Sequence, residues 1–388
     1  MVVVLIASVS VTSYLGYSLQ QKIQANAVDL GTPGEALPEI SGGEFPGGFN
    51  MLVIGVDNDP NQSKKYYGDR GGTLNDVNIL IHISADHKSG TVLSIPRDMI
   101  IAHPTCTNPD TGTVYGAMSA QPVNVAFSRG GLTCVVNTIE YLTGLSIPYA
   151  AQLSFAAVEA MTDAVGGVPV CLANDIDDPN SKLHLTAGTH TISGSTALEF
   201  LRTRHGAGDG SDLSRISLQQ QYMSSLVRTI TSNDTLTNPV KLYNLANAAA
   251  NNIRLSTSLE SVDTMVAMAR AVKTLDLSKL TFITYPGHTG DKKYPGKYVP
   301  NVVPAAQLVA AIKADTPVTA AGGVGNGAKV STNTPKPTST ATSKPTASST
   351  KTAKPTSTPT PSDTSTSVSI AAPGVSANEY TCARGFLQ

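Results

Sequence analysis

Apolar, β-branched runs alternating with segments of helical periodicity predict an α/β fold, a three-layer α-β-α domain with a central mixed sheet. Two more features frame that domain. An uncharged apolar run at the N-terminus predicts a membrane anchor, and a Thr/Ser/Pro-rich stretch near the C-terminus predicts a disordered tail. At 388 residues the chain is long enough to bury a sizeable core.

The first segment, MVVVLIASVSVTSYLGYSL, carries no charge and is about as long as one membrane helix. A cleaved signal peptide needs a basic start and a small-residue cleavage site. No basic residue precedes this run, and residues 24–27 offer a poor site, so residues 1–19 read as an uncleaved transmembrane anchor. The rest of the chain then lies outside the cytoplasm. Residues 20–48, polar and rich in Gly, Pro and Glu, read as an extracellular spacer.

A domain over residues 49–314 opens with FNMLVIGVD, a buried strand ending at Asp57, followed by strands in DVNILIHIS and GTVLSIPRD. VNVAFSRGGLTCVVNTIEYLTGL has helical spacing with Val125, Val135, Ile139 and Leu142 as its core side. YAAQLS predicts a strand, FAAVEAMTDAVGG a helix stopped by Gly-Gly, and VPVCLA another strand. A hairpin-like region around LHLTAGTHTI leads to a short helix in SGSTALEFLRTR, capped by Ser193 or Ser195. SDLSRISLQQQYMSSLVRTI predicts an amphipathic helix with Asp212 as N-cap and Leu213, Ile216, Tyr222, Met223 and Leu226 facing inward. Helices follow near 239–250, 258–275 and 303–313, with LTFITYP a strand between the last two. Residues 315–370 lack core-forming residues and read as a disordered linker; residues 371–388 regain aromatics and a cysteine and can dock back.

A net charge of −1 and only 14% charged residues remove the electrostatic footprint of a nucleic-acid binder. With no tryptophan and 5% aromatics, a sugar-stacking lectin is disfavoured. The four cysteines show neither CxxC spacing nor histidine pairs at ligand spacing, which argues against zinc and for structural disulfides in an oxidising compartment. Three connectivities are open. Cys106 and Cys134 bracket one insert-like segment, which favours that pair and leaves Cys171 for Cys382.

Against this sparse charge, LRTRHGAGDGSDLSR at residues 201–215 gathers three arginines around a glycine-rich loop. Arg202 and Arg204 share a side in an extended segment, and Arg215 and Gln219 share a face of the following helix. Arginines beside a helix N-terminus suit bidentate binding of phosphate. Asp57, Arg70, Asp76, Arg97 and Asp98 stand at or near the ends of the first three strands, where α/β sheets build their sites. Two aspartates together repel unless a cation joins them, and Mg²⁺ or Mn²⁺ needs little more from a protein. Each residue also has an ordinary use. Asp57 or Asp76 alone suits a turn, Arg204–Asp209 and Arg215–Asp212 suit surface ion pairs, and His205 suits an exposed loop.

Taken together, NMLVIGVD, GDRGGTLNDVNIL, VLSIPRDMII, VNVAFSRGG, TDAVGGVPV, TAGTHTISGSTALEFLRTR and DLSRISLQQQYMSSL resemble, in order, the LytR–CpsA–Psr family of membrane-anchored cell-wall proteins. The resemblance implies an α-β-α domain that holds a polyprenyl-pyrophosphate lipid with its tail in an apolar tunnel. It implies Mg²⁺-dependent transfer of a glycopolymer from that carrier to peptidoglycan, forming a phosphodiester. Asp57 and Asp76 then resemble the metal-associated aspartates; Arg70, Arg97, Arg202, Arg204 and Arg215 resemble the pyrophosphate clamp, with Gln219 beside it. Catalytic roles fall to Arg97, Asp98, Arg202 and Arg204. The sequence departs from the family where the arginine block before the second strand is stretched to GDRGGTLND, and where Leu218 replaces an arginine before the glutamine. The rival readings are a lipid-pyrophosphate hydrolase, with water as acceptor, and a non-catalytic surface protein that binds lipid or glycan.

Overall fold

The computed structural model describes residues 17–31, 37–58, 73–231, 239–331 and 367–386. In chain order, β1 (Phe49–Val56), β2 (Asn75–Ile83) and β3 (Gly90–Ser94) precede helix α1 (Val125–Thr143), then β4 (Tyr149–Leu153) and α2 (Phe155–Val165). β5 (Val168–Leu172), β6 (Gly188–Ile192), α3 (Gly194–Arg202), α4 (Asp212–Thr231), α5 (Pro239–Asn252), β7 (Ile253–Leu255) and α6 (Val262–Lys273) follow. The chain continues through β8 (Leu280–Thr284), α7 (Val302–Lys313), β9 (Ala328–Val330), β10 (Gly374–Ser376) and β11 (Thr381–Ala383).

Seven strands form the central mixed sheet in the order β7-β4-β1-β2-β3-β8-β10. β1, β2 and β3 are antiparallel neighbours, whereas β4 on β1 and β8 on β3 run parallel. Because side chains alternate along a strand, both faces need cover. Leu52, Ile54, Leu80, Leu93 and Ile283 bury against α1 and α7 on one face. Met51, Val53, Ile79, Val92 and Phe282 bury on the other with residues of α4, α5 and α6. This is the expected layering.

Three details depart from the sequence reading. The 123–145 segment is not one straight helix, because Gly130 and Gly131 leave helical geometry, Gly131 at φ +59. A Cβ on Gly130 would stand 2.5 Å from Cys134 Sγ, so the glycine admits the Cys106–Cys134 disulfide. The hairpin-like segment divides: Leu183–Leu185 pairs with Ile176–Asp178, and β6 pairs with β5. The cap of α4 is Ser211, whose hydroxyl accepts the Ser214 N–H at 3.3 Å; Asp212 is freed for the site described below. Ser193 does occupy the N-cap position of α3, without a side-chain cap bond.

The expected spacer and linker also hold ordered structure. Residues 17–25 are helical, and Ile23, Leu30 and Phe45 are buried, so much of residues 20–48 packs on the domain. Past the expected domain end at 314, Val318–Ala320 pairs with Val368–Ile370. β9, β10 and β11 complete sheets: β10 extends the central one, while β11 and β9 join β5 and β6 in a second sheet. The Thr/Ser/Pro segment 332–366 and residues 1–16 of the expected anchor at 1–19 lie outside the described residues. No helix among the described residues is long and apolar enough to cross a membrane.

Both cysteine pairings occur, Cys106–Cys134 and Cys171–Cys382. The second joins parallel neighbours β5 and β11 across 211 residues. Closing so long a loop removes much unfolded-state entropy. Replacing Cys171 and Cys382 by serine is expected to lower unfolding free energy by about 4 kcal/mol, measured by guanidinium titration; an unchanged midpoint contradicts it.

Candidate functional site

Opposite the α1 face, the sheet and three helices enclose a cavity of about 280 Å³. Val53, Val77 and Ile79 line it from the sheet, Phe155, Val158 and Met161 from α2, Leu198 and Leu201 from α3, and Met223, Leu226 and Ile230 from α4. Two polar groups in the wall satisfy each other, since Thr162 Oγ1 and Tyr222 OH are hydrogen-bonded at 2.7 Å. The charged lining residues are Asp76, Arg202 and Arg215, with Gln219 beside them. An apolar bore thus ends in a charged mouth.

A bulge places Asp76 at that mouth. Gly55 opposes Val77 but Val56 opposes Asn75, so Asp76 is the extra residue of β2 and is turned out of the regular alternation. Gly55 allows the bend, because a Cβ there would sit 3.0 Å from Val77 Cβ. At the neighbouring strand end Asp57 is 1% exposed; its Oδ1 accepts the Leu74 N–H at 2.7 Å.

From Asp76 the charges alternate. Its carboxylate takes a hydrogen bond from Arg97 Nη1. Arg97 Nε lies 3.7 Å from both Asp98 and Asp212. Asp212 Oδ1 is 2.7 Å from Arg215 Nη2, which also donates to the Asp76 carbonyl at 3.2 Å. The Asp212 contacts have ion-pair distance without hydrogen-bond geometry, leaving both its carboxylate oxygens and the Nε atoms of Arg97 and Arg215 buried without hydrogen bonds. Burial opposes the charge of Arg97, but Asp76, Asp212 and Asp98 outweigh it and raise its pKa above the ordinary value. Arg215 is shifted down, first by burial and also by the nearby charges of Arg97 and Arg204, which Asp212 and Asp76 only partly offset. A ligand bringing negative charge to this mouth would relieve that imbalance.

The other sequence candidates take distinct places. Arg202 ends α3 with its guanidinium 4.7 Å from the centre of the Phe155 ring. Arg204 Nε donates to the Gly210 carbonyl at 3.1 Å. Gln219 Nε2 donates to the Leu201 carbonyl at 3.1 Å, tying α4 to the end of α3. Asp98 is held by Lys297 Nζ at 2.6 Å. Arg70 lies outside the described residues. His205 is exposed, with Nδ1 3.2 Å from the Asn180 amide, and stands apart from the mouth lining. Arg204 and Asp209 form no ion pair; Asp209 instead accepts from Ser211, Ser214 and Asn326. Leu218, in the position where an arginine was expected, is fully buried.

Sequence reasoning missed Asp212, Lys297 and Phe155 as parts of this site. It also missed the girdle around the arginine loop. Asp178 accepts the backbone N–H groups of Arg204 at 2.9 Å and Gly206 at 3.2 Å. The C-terminal tail adds Gly208 N–H to the Arg384 carbonyl at 3.0 Å. Gly208 has φ +54, and a Cβ there would be 2.3 Å from Ser214 Oγ, so only glycine suits that crossing.

Hard oxygen donors at adjoining strand ends, Asp57 and Asp76, fit Mg²⁺ chemically, and such an ion keeps water and phosphate oxygens as further ligands. Among the described residues no group of three or more His, Cys, Asp or Glu could hold a metal by itself.

A model of the LytR_cpsA_psr family matches residues 13–313. The chain belongs to the LytR–CpsA–Psr family. Cell wall biosynthesis protein LcpA of Corynebacterium glutamicum is 30% identical over 307 residues, which is 73% of this chain and 58% of LcpA. The chain therefore spans less than two thirds of that relative. The polyisoprenyl-teichoic acid–peptidoglycan teichoic acid transferase TagT of Bacillus subtilis is 25% identical over 295 residues, 74% of this chain and 84% of TagT. Two solved structures share the fold. A Streptococcus agalactiae protein superimposes with TM-score 0.56 at 20% identity, covering 69% of this chain and 88% of its own. The LytR-Csp2A-Psr enzyme from Actinomyces oris gives TM-score 0.50 at 23% identity, covering 74% and 94%.

Two measurements test the electrostatics of the mouth. Asp212→Asn leaves Arg97 and Arg215 facing each other and is expected to cost about 3 kcal/mol of stability. Millimolar inorganic pyrophosphate should return much of that loss and raise the melting temperature more than in the parent protein; equal shifts contradict it. Burial pushes the Asp178 pKa up, but backbone N–H donors, Arg204 and Gly206 foremost, outweigh this and hold it below the ordinary carboxylate value. Such a group stabilises the fold above its unfolded pKa, about 3.9, and loses that effect as pH falls through the lower folded value. Asp178→Asn is therefore expected to lower the melting temperature at pH 7, with the gap closing below about pH 4; a constant gap contradicts it.

Proposed function

We propose that this protein is a membrane-anchored phosphotransferase that moves a glycopolymer from a polyprenyl-pyrophosphate carrier to a peptidoglycan hydroxyl, forming a phosphodiester. The observation that carries this reading is the apolar cavity ending at Asp76, Arg202 and Arg215. A polyprenyl chain matches the bore by burial of hydrocarbon, and a diphosphate matches the guanidinium mouth by charge and bidentate geometry. TagT, named for transfer of teichoic acid from a polyisoprenyl carrier to peptidoglycan, supports the same class of reaction. The N-terminal apolar run would hold the domain at the outer face of the membrane, where both carrier and wall are within reach.

In this reading Arg97, Arg202, Arg204 and Arg215 hold the two phosphates, and Arg70, which lies outside the described residues, would join them. Gln219 fixes the start of the bore by its bond to the Leu201 carbonyl. The acceptor hydroxyl attacks the sugar-bearing phosphorus and a new P–O bond forms. The bond to the bridging oxygen breaks, and polyprenyl phosphate leaves. Asp76 and Asp98 are the carboxylates available for the acceptor's proton. The Arg97 and Arg215 guanidinium groups are already oriented by Asp76, Asp98 and Asp212, so stabilising the transferring phosphoryl charge there needs little reorganisation. Mg²⁺, or Mn²⁺ in its place, held by Asp57 and Asp76 would add Lewis-acid neutralisation of phosphate oxygens.

The test is transfer of a glycan from synthetic polyprenyl pyrophosphate to peptidoglycan. Arg202→Ala with Arg204→Ala is expected to reduce linkage about a hundredfold or more. Free polymer without linkage would assign a hydrolase. No linkage and no free polymer from the parent protein would leave a binding protein, and linkage unchanged in the double variant would contradict the role given to the two arginines.

A further inference from the structure

Phe155 connects the two halves of the site. It is the first residue of α2, fixed there because the Ser154 hydroxyl caps the helix by accepting the Ala157 N–H at 3.3 Å. The ring lines the apolar cavity, and the Arg202 guanidinium lies 4.7 Å from its centre. Arg202 comes from another element, the last turn of α3, and the ring supplies an aromatic face on which its plane can rest. A cation over such a face is attracted by the ring quadrupole, more strongly where water is excluded.

We infer that Phe155 is a positioning residue that seats Arg202 at the cavity mouth and contacts the lipid tail, so that tail and head group are recognised through one ring. This rests on the polyprenyl-pyrophosphate reading and extends it to a residue outside the clamp. Phe155 carries no charge and takes no part in proton transfer. Its contribution is the placement of the Arg202 charge.

The consequence is a coupling between Phe155 and Arg202 that depends on the head group. Leucine at 155 keeps an apolar wall but removes the π face; tyrosine keeps the ring. Binding of geranylgeranyl pyrophosphate and of geranylgeraniol to the full chain in detergent, followed by calorimetry, separates head from tail. Phe155→Leu is expected to weaken the pyrophosphate about five- to thirtyfold and the alcohol much less, with Phe155→Tyr close to the parent. In the Arg202→Ala background, Phe155→Leu is expected to change pyrophosphate binding little. Melting temperatures accompany each variant, and Phe155→Met replaces the leucine variant should the latter unfold. Equal losses for both probes, or additive losses in the double variant, would overturn the positioning role while leaving the functional reading intact. No binding of either probe by the parent protein would overturn both.

Discussion

The site depends on keeping several guanidinium groups partly out of water at the end of an apolar cavity. Arg215 is 8% exposed and Arg97 mostly covered, and their mutual repulsion is held in check by Asp76 and Asp212. Without those carboxylates the charges would have to reach solvent, and the mouth would open. With them the guanidinium groups are fixed in orientation, though the Asp212 pairs lack hydrogen-bond geometry. Such partial satisfaction leaves contacts that a negatively charged ligand would complete.

The scaffold serves this arrangement by bringing charged residues from separate strand and helix ends to one place. A bulge turns Asp76 outward, the end of β3 carries the chain to Arg97, and the first turn of α4 supplies Asp212 and Arg215. Helix α4 can lie there because it is buried on nearly every side, with its polar residues bonded to strands rather than to water. Gln221 reaches the Cys171 and Thr381 carbonyls, and Gln220 reaches Thr284. The C-terminal tail holds the same helix and loop, so a segment distant in sequence helps shape the mouth.

Much of this was legible in the sequence where the signal is local. β-branched runs marked β1, β2, β3 and β8, and of the three arginines gathered at 202, 204 and 215, Arg202 and Arg215 line the mouth. Residues whose role arises only from tertiary proximity were hidden. The Asp212–Arg215 pair was legible as a local ion pair, but the approach of Asp212 to Arg97 was not; Lys297 lies in a polar loop far from Asp98, and Phe155 looks like an ordinary core aromatic. The cavity itself could not be read, because its wall comes from separate strands and helices. The three-residue strands of the tail are too short for periodicity to register; pairing with β5 and β8 makes them strands.

The most direct measurement is native mass spectrometry of the full chain released gently from membranes. The expected result is an adduct with the mass of a polyprenyl pyrophosphate, with or without sugars, that is depleted when Arg215 is replaced by glutamine. Protein that carries no isoprenoid, or that retains a phosphate-free lipid equally well in both forms, would contradict it.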